Sequence, residues 1–495
     1  MPPLPPQNGV SHRLRRRQAL RLSAAAGALL THALTHARPR RGAAGAPAAT
    51  PVREHLPNGL IVIAEERRSA ETVALQLAAR AGSRDDGAAP GINTLTSRVM
   101  FQGTSRRPSE TELLRAAARV GGTLTRGTTT ELSLFASAMP ARAVDVGFDL
   151  LADVVLNPLF DEAALARQQQ LALQELAQRR SDPGALLADL FQAAMFAGHP
   201  ASTPPLGTAE SVAALTRDAL LANHARFWGA ANLVLTIAGR LAPAEALAKA
   251  QSSFGALPMG APAERRPAGS LGNMVAQGAT APAAPRPGPQ TVRGEAGQQQ
   301  VQFRLGFRAP ALRDRDRYPM TVLNAIMTGD SGRLFEELRN ARGLAYVAGS
   351  GYAVLTDAAA WFAAAGVDPE SLEPALEVVR DEIEGLRAAA PDADEVAARI
   401  SQIAGAQILA DEGNAARASR LAAQEILGTE STEEFVRRIG EVTPDDVLRV
   451  ARTYLDLDRA LLVVVGPPGL AVPEPQPAPR PPPAPPAQPT PWRGK

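Results

Sequence analysis

Cysteine is absent from this chain of 495 residues. That excludes a disulfide framework, a cysteine-ligated zinc and thiol catalysis. Histidine is scarce: there are six, and only His55, His199 and His224 lie beyond residue 37. None of these three is spaced as an i, i+4 pair on one helix face. All three are expected to be structural, with His199 in a turn and His224 on an amphipathic helix. No P-loop, dinucleotide fingerprint or EF-hand loop is present. Beyond the N-terminal leader, no apolar run reaches the length of a membrane span. A large charge excess is also missing, because the formal net charge is only +2. Arg13, Arg15, Arg16, Arg17 and Arg21 supply that excess within an acid-free start. The rest of the chain is near neutral or slightly acidic, which gives no reason to expect nucleic acid as a partner.

The basic start reads as an export signal. "RLRRRQALR" is a charged region, "LSAAAGALLTHAL" a short apolar one, and "THA" ending at Ala37 a small-residue cleavage site. Residues 1–37 are expected to be a signal peptide and 38–50 a disordered leader. Arg16-Arg17 before "QAL" fits a twin-arginine signal, so a periplasmic or secreted location is expected.

Two further stretches, 259–290 and 469–495, are dense in Pro, Ala and Gly and cannot bury a core. The first reads as a linker and the second as a tail. They bracket two folded regions, 51–258 and 291–468. Both regions end alike. "TRDALLANHARFWGAANLVLTIAG" runs from Thr216 to Gly239, and "TPDDVLRVARTYLDLDRALLVVVG" spans the same interval from Thr443 to Gly466. In each, Thr caps a helix with Asp in the first turn, and an apolar strand follows. Such a repeat predicts two homologous lobes. Within a lobe, "GLIVIAEER", "TVALQLAARAG" and "TELSLFASAM" read as strands. "SETELLRAAARVGG" opens a helix with a Ser109/Glu112 capping box, and "DEAALARQQQLALQELAQRR" is a long helix. The fold class is therefore α+β: two lobes, each a mostly antiparallel sheet with helices packed on one face.

Several segments together resemble the pitrilysin/insulinase family of zinc metallopeptidases, the inverzincins, including the mitochondrial-processing-peptidase branch. They are "LPNGLIVIAEE", "ARAGSRDD", "FQGTSRRP", "RVGGTL", "LLADVVLNPLFDE", "FAGHP" and "SGRLFEELRNARGLAY". The resemblance covers about residues 52–467 and implies a pair of similar α+β lobes. In active relatives the segment before "FxGT" carries His-x-x-Glu-His, and a later Glu completes the zinc site. Here "GINTLTSRVMFQGT" places Thr94 and Arg98 at the two His positions and Ser97 at the Glu position. Glu175 stands at the third ligand position. Arg98 is a permanent cation. The resemblance therefore implies a degenerate, non-catalytic site that binds no metal, with Arg98 in the metal's place pairing with the vestigial ligand Glu175. Thr125-Arg126 replace an Asn-Ala near substrate, which reads as drift.

In the second lobe, the resemblance assigns substrate binding to Arg339 and Tyr346, an Arg fork and a hydroxyl that grip peptide backbone. "GDSG" at 329–332 also matches a serine-protease signature, but Asp330 and Ser331 read better as helix caps. The implied function is a non-catalytic subunit of a heteromeric zinc metallopeptidase. It would lend Arg339, Tyr346 and chamber walls to a catalytic partner of the same family, with peptide as substrate and zinc held by the partner. A structural or peptide-binding protein, and an active metalloendopeptidase with a rebuilt site, are the alternatives.

Overall fold

The structure, a computed structural model, describes residues 50–262, 290–297 and 299–472. Two sheets organise them. The first contains β1 (Val52–His55), β2 (Ile61–Glu66), β3 (Thr72–Ala79), β4 (Thr123–Thr128), β5 (Ser133–Pro140) and β6 (Leu233–Gly239), in the order β1-β2-β6-β3-β5-β4. The second contains β7 (Gln290–Glu295), β8 (Val301–Arg308), β9 (Ala345–Val354), β10 (Ala359–Val367) and β11 (Leu461–Gly466), in the order β7-β11-β8-β10-β9. Only β2–β6 and β7–β11 pair parallel. Without β1 the two orders coincide strand for strand, so the repeat in sequence is a repeat in topology.

The helices used below are α1 (Ile92–Met100), α2 (Val144–Leu156), α3 (Glu162–Ser181), α4 (Pro183–Met195) and α5 (Arg217–Phe227) in the first lobe. In the second they are α6 (Arg317–Met327), α7 (Leu372–Ala388), α8 (Ala393–Ala410), α9 (Asn414–Leu427) and α10 (Pro444–Tyr454). Thr216 accepts from Ala219 N and Thr443 from Asp446 N, so the repeated Thr does cap α5 and α10. Of the expected capping box, Ser109 accepts from Glu112 N, and no reciprocal Glu112 arm forms.

Each lobe has its own core on one sheet face. Val73, Leu75 and Leu77 of β3 pack with Phe148, Leu151 and Val155 of α2. In the second lobe, Phe303 and Leu305 pack with Leu323 of α6 and Leu376 of α7. The other face of each sheet is covered from the opposite lobe. α9 lies on β3 and β6, where Leu421, Ala422 and Ile426 meet Ile61, Ile63 and Val234. Small residues there, Ala74, Ala238 and Ala418, let the backbones approach, and Thr236 donates to the Ala418 carbonyl over 2.8 Å. In return α4 lies on β8 and β11, with Leu187, Phe191 and Met195 against Ala360, Val463 and Val465. A Cβ on Gly306 would fall 2.4 Å from the Phe191 ring, so only glycine admits that ring. This exchange explains why β2, β3 and β6 are buried on both faces.

Charged groups close the same seam. Arg417 of α9 donates to Glu65 of β2 over 2.7 Å, with Glu65 only 2% exposed. Arg84 contacts Glu131 of its own lobe and Asp357 of the other, at 2.8 and 2.6 Å. Thr356 N donates to Glu131 over 3.0 Å.

The expected signal peptide, nearly all of the leader, and most of the linker and tail lie outside the described residues. At their borders the fold runs further than expected. Met259 accepts from Ala231 N, Ala261 accepts from Asn232, and Leu470 and Val472 pack on the second core. Those contacts satisfy turn donors and cover apolar surface, which a free linker or tail would not do.

Candidate functional site

α1 is fixed before its functional face is considered. It starts at Gly91, whose positive φ and close approach to the Leu206 carbonyl require glycine. The Asp86 carboxylate accepts from Gly91 N and from Asn93 N and Nδ2. Burial pushes Asp86 up to about 7, against those donors. Asn93 is itself held by Asn223 of α5 over 3.0 Å.

The side chains of Thr94, Ser97 and Arg98 are each already engaged. Thr94 donates to the Pro205 carbonyl. Ser97 donates to Thr94 O at 2.9 Å and lies 3.0 Å from Thr128 Oγ1 on β4. Arg98 Nη2 donates to Glu175 Oε2 of α3 over 2.8 Å. Arg98 is 16% exposed and Glu175 48%. The Arg98 Nε is buried without a hydrogen-bond partner.

These residues do not fit zinc. A tetrahedral site needs several imidazole or carboxylate donors. The chain offers one carboxylate, and a guanidinium already holds it. Among the described residues no cluster of three His, Cys, Asp or Glu could hold a metal. At about 4 Å and an effective dielectric of about 20, Arg98 would repel a unit charge by about 4 kcal/mol and a dication by about twice that.

Next to this pair lies Arg126 on the edge strand β4. Its guanidinium sits over the Phe101 ring, 5.7 Å from the centroid, and has no ion-pair partner among the described residues. Burial, and after it the charge of Arg98, lowers its pKa; Glu110 and Glu175 act the other way. A cation kept half-buried beside another cation is costly. The drift reading gives no physical account of that placement.

In the second lobe the structure brings Arg339 and Tyr346 together. The Arg339 guanidinium stacks on the Tyr346 ring at 4.8 Å and on Phe335 at 4.8 Å. Both residues are exposed, Tyr346 by 74%. Arg339 forms no ion pair among the described residues: Glu336 accepts from Asn340, and Glu337 from Arg342. Arg339 stands on a π-helical turn, Glu336–Ala341, and Tyr346 on the edge strand β9. The Asp330/Ser331 cap does not form. Gly332 starts the helix, and Ser331 accepts from Arg399 instead. A Cβ on Gly332 would meet the Thr328 carbonyl at 2.3 Å, so glycine is needed where the chain turns in. No hydrogen bond, ion pair or ring contact joins the Arg98 and Arg339 pairs, which lie in different lobes.

The three histidines have structural partners. His224 lies 3.1 Å from the Val155 carbonyl, and burial lowers its pKa. His55 contacts Arg53. His199 accepts from Ala201 N and approaches Asp357 at 3.3 Å across the seam.

Residues 61–209 match the family model described as insulinase (peptidase family M16). Residues 214–403 match the one described as peptidase M16 inactive domain. This chain belongs to the insulinase family of peptidases. An uncharacterized zinc protease of Streptomyces coelicolor is 30% identical over 429 residues, covering 84% of this chain and 89% of the relative. One from Mycobacterium tuberculosis is 30% identical over 443 residues, covering 87% and 97%. The insulinase-family fold recurs in a crystal structure of a peptidase M16 inactive domain from Pseudomonas fluorescens, with a TM-score of 0.76 at 23% identity over 86% of this chain and all of that one. A protease from Helicobacter pylori gives 0.76 at 18% identity over 85% and 100%.

Proposed function

We propose that this chain is a non-catalytic subunit of a heteromeric zinc metallopeptidase. It lends Arg339, Tyr346 and chamber walls to a partner of the same family that carries His-x-x-Glu-His. The observation that carries this reading is the state of the two sites. Arg98, Ser97 and Thr94 are all engaged within the chain. Arg339 and Tyr346 are stacked and exposed, and no acid among the described residues pairs with Arg339, which leaves donors available to a peptide carbonyl. Zinc belongs to the partner, and the substrate is a peptide. The basic, apolar start supports export to the periplasm or beyond the cell.

The test is to mix this chain with a family member bearing the intact motif and follow cleavage of a quenched fluorescent peptide. Cleavage is expected from the mixture and not from this chain alone. Loss of rate with Arg339→Ala and Tyr346→Phe is expected. Chelator-sensitive hydrolysis by this chain alone would sink the reading.

A further inference from the structure

Arg126 has a counterpart across the seam. Arg304 of β8 is half-buried against α4. Its guanidinium lies 4.3 Å from the Phe362 ring centroid and 5.6 Å from that of Phe191. Like Arg126 it has no ion-pair partner among the described residues, and its Nε is buried without a hydrogen bond. Burial lowers its pKa, and Asp189 is the carboxylate that acts the other way.

A continuous run of charge connects the two. Arg98, beside Arg126, holds Glu175 at 2.8 Å. Glu175 and Arg179 are four residues apart on α3 and so share a face. Arg179 grips Asp189 of α4 through two hydrogen bonds, at 3.1 and 2.5 Å. Asp189 faces Arg304 electrostatically. From Arg98 to Arg304 the signs alternate, and Arg126 stands as a second cation beside Arg98. An aromatic face under a guanidinium fixes its plane; at Arg304 the Nε is buried, so the two Nη groups are the edge left to take a carboxylate in a bidentate way. Two stacked, unpaired arginines are therefore prepared for anions the chain does not itself supply.

We propose that Arg126 and Arg304 anchor a carboxylate-binding track, through which this chain captures extended acidic peptides. Arg126 lies on the sheet edge β4, where a peptide can add as a strand and bring a carboxylate to it. The proposal rests on the peptide-binding part of the function above and names its substrate class.

The test uses the purified full chain without any partner. Three fluorescein-labelled extended peptides are compared by polarisation. One carries two spaced aspartates and blocked ends. The second has both replaced by asparagine. The third is the asparagine peptide with a free C-terminal carboxylate. The aspartate peptide is expected to bind about tenfold or more tighter than its asparagine analogue, the worth of a charge-assisted hydrogen bond. A gain confined to the third peptide also supports the track and identifies the terminal carboxylate as its ligand. Arg126→Gln and Arg304→Gln should each shrink the preference, and Arg126→Lys should recover only part of it, since Lys lacks the fork. Equal binding of all three peptides by the unaltered chain overturns the proposal, as does absence of binding or a preference untouched by both variants. The comparison of peptides on the unaltered chain decides even if a variant does not fold. If mixed-chain cleavage fails while the preference stands, the subunit reading falls and the track remains.

Discussion

Arg98 Nη2 stands 2.8 Å from Glu175 Oε2, a cation on the carboxylate that a metal would need. This chain, incubated with zinc and desalted, should retain well under one equivalent by elemental analysis. Arg98→His alone should not restore it, because Thr94 and Ser97 still offer no ligand. Glu175 is about half exposed. Glu175→Gln should therefore change stability by no more than about 1 kcal/mol.

The buried pair across the seam is a different case. Glu65 is 2% exposed, and Arg417 supplies its charge partner. Arg417→Ala strands that carboxylate and should cost about 3–5 kcal/mol, read as a lower urea midpoint. Glu65→Gln with Arg417→Met removes both charges and should cost clearly less.

Because α4 and α9 are exchanged, neither sheet keeps both faces covered on its own. Calorimetry on the whole chain should show the two lobes unfolding in one transition. Leu421→Ala should lower stability by about 2–5 kcal/mol and Phe191→Ala by about 3–5 kcal/mol, each lowering that same transition. Two resolved transitions would contradict the coupling.

Acid should loosen the seam through Asp357. Burial drives its carboxyl upward, but the His199 and Arg84 side chains outweigh this and hold it at about 2. The folded value lies below the unfolded one, near 4. The stabilisation is therefore complete above about pH 4 and lost as pH falls toward about 2, to the extent of about 2 kcal/mol. Urea midpoints across that range should fall for the unaltered chain. They should fall less for Asp357→Asn, which starts lower at neutral pH.

Arg339→Ala and Tyr346→Phe act at exposed positions. Both should leave the urea midpoint almost unchanged, within about 0.5 kcal/mol. Peptide cleavage by the mixed assembly should fall about tenfold or more, in line with loss of one positioned donor.

Much of the site was legible only through the family resemblance, which set Thr94, Ser97 and Arg98 against a metal motif and Glu175 at its third ligand position. The structure adds that Arg98 and Glu175 touch, at 2.8 Å. Arg304 left no such trace. In "VQFRLGFR" the alternation puts Arg304 on one face with Gln302 and Gly306. Nothing nearby in sequence says that Phe191 and Phe362 will both lie against it. Arg126 was visible as an oddity, but that no acid among the described residues pairs with it is a fact of three-dimensional arrangement.

The chain order of strands, the Thr-capped helices and the matching ends of the two lobes were determined by the sequence alone, since caps and apolar alternation act within a few residues. Which lobe covers which sheet face was decided only by the tertiary structure. The small residues of β3 and β6 and the glycine of β8 permit a close helix without specifying whose helix it is. That choice comes from long-range packing, with α9 and α4 each fitting the other lobe's surface and Arg417 meeting Glu65 at the seam.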